Sequence, residues 1–124
     1  MNMRTPLGKV RGYGSARSGT QHFWQQRLTA VALVPLTLWF VWAVVRYTGA
    51  PYTDVVAFLS HPISGVAMLM FVLTGIFHML LGLKVVIEDY IHSEGSKVAL
   101  LLLSNFAALA IAATCVVAVF RIVV

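Results

Sequence analysis

The stretch Ser64–Tyr90, SGVAMLMFVLTGIFHMLLGLKVVIEDY, decides the fold. No charged side chain occurs between Ser64 and Leu83, and such a run is about the 20 residues a helix needs to cross a hydrocarbon core of about 30 Å. It ends in Glu88, Asp89 and Tyr90, followed by His92, Ser93, Glu94 and Gly95, a polar cluster suited to the membrane boundary. A helix is expected over 64–90, slightly longer than one span.

Outward from that stretch, two further apolar blocks predict helices over about 28–48 and 98–120. The fold class is therefore all-α integral membrane, with three transmembrane helices. With 60% hydrophobic and 10% charged residues among 124, there is too little polar surface to cover a soluble globule. In domain terms, residues 1–27 form a polar, basic N-terminal segment and 28–124 a three-helix membrane domain. Residues 1–21 carry Gly8, Gly12, Gly14 and Gly19 with Ser15, Ser18 and several cations, so an irregular or partner-ordered tail is expected. Pro35 predicts a local kink in the first span. Trp39, Trp42 and Tyr47 mark its far end, and a short loop with an interfacial turn through Val55–Leu59 follows.

The formal net charge is +5, but five of the nine cations (Arg4, Lys9, Arg11, Arg17 and Arg27) precede the first apolar block, and the loop after it has neither Lys nor Arg. That asymmetry is a topology signal, placing the N-terminus and the 88–97 loop on the cytoplasmic side and the C-terminus opposite. Without stacking aromatics interleaved on a soluble face, the charge does not indicate nucleic acid. A secretory signal peptide fits poorly, given the long polar lead and Trp39, Trp42 and Arg46, which stand where small cleavage-site residues belong. Cys115, the single cysteine, reads as an inert thiol within the third block. Arg46, Lys84 and Arg121 are expected to snorkel to the nearer surface.

Chemistry concentrates on the second helix. His78 lies near mid-span, with Gly75 three residues before and Gly82 four after, all within about 100° of one face. A flat macrocycle ligated by an imidazole needs a histidine between two gaps; close helix packing with a hydrogen-bonded histidine accounts for the same residues. Asp89 lies eleven residues on, nearly on the same face and about 16 Å closer to the cytoplasm, beside Tyr90. A phenol there can donate to a quinone carbonyl, with a carboxylate to orient it or relay protons, or it can be an aromatic-belt residue beside an acidic cap. His61 and His92 read as solvated loop histidines.

The string HMLLGLKVVIEDYIH, with a histidine eleven residues before an Asp-Tyr pair, resembles the second helix of the small cytochrome b membrane anchors of succinate dehydrogenase, respiratory complex II. The lead-in GSARSGTQHFWQQRLTAVALVPL is similar to the segment before that family's first helix. The resemblance covers most of the chain. It implies that His78 is an axial ligand of haem b iron, the other ligand coming from a companion cytochrome b anchor. It further implies that Tyr90 hydrogen-bonds ubiquinone, that Asp89 sits beside that site, and that Arg27 lies near the haem propionates. His22 departs by one residue from the spacing to Arg27 in some relatives. The implied partners are the second membrane anchor, an iron–sulfur protein, a flavoprotein and membrane lipid, without nucleic acid.

No dinucleotide fingerprint and no cysteine set for an iron–sulfur cluster occur, so succinate chemistry belongs to other chains of such an assembly. Rival readings are an anchor of fumarate reductase, a cofactor-free membrane adaptor and a small transporter. The last needs a membrane-embedded carboxylate, whereas Asp54, Glu88, Asp89 and Glu94 all fall in loops or at helix ends. A short N-terminus without an extended transit segment points to a bacterial inner membrane rather than a mitochondrial one.

Overall fold

The computed structural model describes residues 3–13 and 18–124. Five helices follow in order: α1 (Pro6–Gly12), α2 (Ser18–Tyr47), α3 (Tyr52–Ser60), α4 (Pro62–Tyr90) and α5 (Glu94–Val123). Three are long and apolar enough to cross a membrane, over Thr20–Tyr47, Pro62–Tyr90 and Glu94–Val123. At about 1.5 Å per residue each exceeds roughly 40 Å, so all three project beyond a hydrocarbon core of about 30 Å.

The expected spans lie within these helices, but the ends differ. The irregular tail expected over residues 1–21 is corrected: α1 forms within it, and α2 begins at Ser18 and runs through the composition boundary at residue 27. At α1, Thr5 is the N-cap, its Oγ1 accepting from Gly8 N at 3.0 Å, and Pro6 opens the helix. A cap is worth about 1 kcal/mol, similar to the helix cost of one glycine, so composition alone overstated the penalty. Gly14, Ser15 and Arg17 lie outside the described residues. The third span starts earlier than expected because Ser93 takes extended N-cap geometry and its carbonyl accepts from Lys97 N at 2.9 Å. The loop turn expected near Val55–Leu59 is a full helix, α3. Gly49, at φ 79°, makes the left-handed turn that releases the chain from α2 toward it. α2 continues through Pro35.

The central helix is α4, which packs against α2 on one side and α5 on the other; α3 lies across α4 and α5 at the end opposite the N-terminus. Phe40 of α2 stacks on Phe71 of α4 with centroids 4.6 Å apart. Phe58 of α3 gathers the aromatics at the end of α2, stacking on Tyr47 at 4.5 Å and meeting Trp39 at 6.0 Å and Trp42 at 6.1 Å. Tyr47 also faces the Arg46 guanidinium, 5.4 Å from its ring.

Among the described apolar residues, only Ala43, Leu81, Ile87 and Ala108 are buried within the chain. The accessible surface is 9436 Å², against about 6,600 Å² for a compact soluble protein of this mass. The extra surface is largely apolar side chains along the three long helices, the pattern of a row of helices whose outer faces meet lipid or other helices.

The tightest crossing is at Gly65, where a Cβ would fall 2.6 Å from Val123 Cγ2 and 3.3 Å from the Leu59 carbonyl oxygen. Gly65→Val is expected to cost about 1–3 kcal/mol. Thermal unfolding in mild detergent should show a clear fall in Tm, whereas Gly95→Ala, with open space around its Cβ, should move it little. Equal effects would place the tight contact elsewhere.

Candidate functional site

His78 is half-buried in the seam between α2 and α4, and its Nδ1 lies 2.8 Å from Thr29 Oγ1. The Thr29 hydroxyl is also 2.8 Å from the Gln25 carbonyl and 3.1 Å from that of Gln26. It has one proton, and two carbonyls of its own helix compete for it. Every group is satisfied when Thr29 donates to its own helix and accepts from His78 Nδ1–H. The imidazole is then held in the tautomer whose Nε2 keeps its lone pair, the form in which a histidine ligates metal.

Beside the imidazole is an open groove of about 410 Å³ lined by Ala30, Leu33, Val34, Thr37, Leu38 and His78. The five α2 residues recur at helical spacing, so they form one stripe facing the histidine. A Cβ at Gly75 would only reach ordinary contact with Leu33 Cδ2, at 4.0 Å, and one at Gly82 would meet nothing within 4 Å. Unlike Gly65, neither is required by packing within this chain. Close packing within this chain therefore does not account for either glycine.

Arg27 precedes Ala30 by three residues and Val34 by seven, placing it on the groove's stripe at its N-terminal end. Its guanidinium lies over the Phe23 ring, 5.2 Å from the centroid, and the residue is exposed. Close by on α2, Gln26 Oε1 is buried with no hydrogen-bond partner among the described residues. Such an acceptor costs about 1–3 kcal/mol unless water or a ligand satisfies it.

Asp89 and Tyr90 form the last turn of α4, both exposed, and the structure does not bring them to His78. Tyr90 is 75% exposed, so its phenol is free to meet something outside the chain. His22 Nε2 lies 3.2 Å from the Leu81 carbonyl and ties the start of α2 to α4. The expectation of a solvated His61 is corrected in part: it is exposed but caps α4, its Nδ1 accepting from Ile63 N at 3.3 Å. His92 is exposed. Lys84 lines a small cavity of about 140 Å³ between α4 and α5 with Ser104 and Asn105. Cys115 is a half-buried free thiol. Among the described residues no three His, Cys, Asp or Glu side chains gather as a metal cage, so any metal held here must bring most of its ligands with it.

Comparison with known proteins bears on this arrangement. A family model described as succinate dehydrogenase/fumarate reductase transmembrane subunit matches residues 1–119. The chain belongs to that family. Relatives named succinate dehydrogenase hydrophobic membrane anchor subunit include one from Rickettsia bellii, 36% identical over 90 residues (73% of this chain, 72% of the relative). Another, from Paracoccus denitrificans, is 34% identical over 101 residues (82% and 78%). A succinate dehydrogenase membrane anchor subunit from Reclinomonas americana is 32% identical over 85 residues (66% and 71%). The resemblance carried by HMLLGLKVVIEDYIH thus extends over nearly the whole chain, and the family's transmembrane character agrees with the three spans.

Two functional candidates were not singled out from sequence. Thr29 is an unremarkable hydroxyl in the first apolar block, and its partner is 49 residues away. Gln26 carried no signal beyond being a polar amide near the span. Thr29→Val removes the acceptor for His78 Nδ1–H, worth about 1 kcal/mol or a roughly fivefold change in tautomer ratio. Ring ¹⁵N spectra of His78 should show the Nδ1–H form losing ground in that variant; an unchanged ratio would separate Thr29 from the imidazole.

Proposed function

We propose that this chain is a membrane anchor of a bacterial inner-membrane succinate dehydrogenase, holding one side of a haem b site and part of a ubiquinone-reduction site. The observation that carries the reading is His78, its Nδ1 2.8 Å from the Thr29 hydroxyl and its ring lining a groove. The family match and the relatives' names support the assembly.

The residues present fit a haem. His78 would hold the iron, the α2 stripe from Ala30 to Leu38 would pack against the apolar ring, the absence of side chains at Gly75 and Gly82 would leave room on the histidine's face of α4, and Arg27 would pair with a carboxylate of the group. Bound there, haem b supplies a one-electron redox centre within the membrane. A second ligand would come from a companion membrane anchor, because the remaining histidines here are engaged at Leu81 (His22), at the start of α4 (His61) or exposed beyond its end (His92).

Ubiquinone becomes ubiquinol by gaining two electrons and two protons. Tyr90, exposed at the cytoplasmic end of α4, donates a hydrogen bond to a quinone carbonyl, which strengthens as charge builds on that oxygen. Asp89 beside it orients the donor and passes protons from the cytoplasmic side. The electrons come from an iron–sulfur protein seated over that face and originate at a flavoprotein that oxidises succinate. The family description also covers fumarate reductase, in which related chemistry runs in reverse; the relatives' names favour the succinate direction.

Tyr90→Phe is expected to lower succinate:ubiquinone turnover about tenfold or more, the worth of one hydrogen bond to a developing charge, with electron delivery to a soluble dye intact. Unchanged turnover would remove Tyr90 from the site. In a reduced-minus-oxidised spectrum of the purified assembly, sharp b-type bands are expected, and His78→Leu should abolish or shift them. An unaltered spectrum would assign the iron to other ligands.

A further inference from the structure

Every described residue from Met3 to Tyr13 is exposed, and α1 packs on none of the other helices as they pack on one another. Around its axis, at about 100° per residue, Leu7, Val10 and the C-cap Tyr13 fall within about 120°. Lys9 and Arg11 stand at the two edges of that apolar strip, with Gly8 and Gly12 opposite. The apolar side chains have no cover: Leu7 is 59% and Val10 63% exposed. We propose that α1 is an interfacial helix that lies on the cytoplasmic leaflet, burying Leu7 and Val10 among the acyl carbonyls while Lys9 and Arg11 bind anionic lipid phosphates.

Three observations favour lipid as the occupant. Charge is the first: no acidic residue occurs before Asp54, so the segment is uniformly cationic, complementary to an anionic leaflet. Reach is the second. Only residues 13–17 separate α1 from α2, at most about 20 Å of chain, while the part of α2 before Arg27 rises about 14 Å from the membrane boundary. The tether is long enough to return α1 to the surface. Size is the third, because a seven-residue helix is about 10 Å long and cannot offer the roughly 800 Å² per side that a stable protein contact needs. A lipid surface imposes no such minimum on a segment already anchored beside it. The inference is independent of the haem and quinone assignments and rests on the cytoplasmic placement of the N-terminus.

The test uses the intact purified assembly in nanodiscs of phosphatidylcholine with or without phosphatidylglycerol. An environment-sensitive fluorescent amino acid replaces Leu7 or, separately, Gly12. With phosphatidylglycerol present, the probe at position 7 should shift to the blue and be quenched by spin-labelled lipid, while the probe at position 12 stays in water. Lys9→Glu with Arg11→Glu should cut the surface-bound population, by roughly fivefold per cation. A probe at position 7 with water-like emission would overturn the proposal, as would a blue-shifted one that lipid fails to quench, which would point to a protein partner. Equal quenching in discs without phosphatidylglycerol would overturn the anionic-lipid part.

Discussion

An imidazole at bilayer depth has an N–H to dispose of and no water to take it. In this chain Nδ1 meets the Thr29 hydroxyl on the neighbouring helix at 2.8 Å, and much of the architecture serves that contact. Thr29 is free to accept because its own proton is taken by the carbonyls of Gln25 and Gln26. α2 is held in register with α4 by the Phe40–Phe71 stack toward one end and by His22 on the Leu81 carbonyl toward the other. A slide of one turn would break the histidine contacts and the ring stack alike. Register between two apolar helices, which hydrophobic burial alone specifies weakly in lipid, is therefore set by a few directional contacts along the seam.

The position of α4 matters for the same reason. With α2 and α5 on its two sides and α3 across one end, it is the most constrained helix in the chain, and it is the one that carries His78, Asp89 and Tyr90. Rigid support for His78 and freedom for a surface phenol are obtained on one element, because α4 is flanked by α2 and α5 and emerges at its last turn. Gly65, pressed against Val123 and the Leu59 carbonyl, closes the bundle at the opposite end. Gly82 has open space where its Cβ would be. The two glycines share a helix and differ in surroundings.

Long-range apolar pattern made the three spans legible, whereas the spacing of His78, Asp89 and Tyr90 named residues that the structure leaves apart, His78 in the seam and the other two exposed at the end of α4. Helix ends were harder to read. α2 begins about ten residues before its apolar block, since a polar segment can continue a helix that the membrane has already nucleated. α1 was hidden by its glycines, whose cost is offset by the local Thr5 cap and Pro6. Thr29, His22 and Gln26 were illegible for another reason: their significance lies in partners or spaces on another helix, and no local period in the chain encodes an interhelical hydrogen bond. His61, read from the sequence as a solvated loop histidine, caps α4 through a contact only two residues away.

The incompleteness of the molecule follows from its surface. Its 9436 Å² of accessible area exceeds the compact value by roughly two fifths, and the excess is apolar and distributed along whole helix faces. Lipid tails satisfy those faces as well as protein does, so exposure alone does not require a partner. The groove beside His78 is different, because an imidazole lines it, while an orphaned acceptor at Gln26 and the cation of Arg27 lie farther along α2. Acyl chains can fill the volume but meet none of those three groups. A buried acceptor left unmet beside the membrane is costly, so Gln26 Oε1, on the same helix as the groove's stripe, is where a polar partner from outside the chain would gain most.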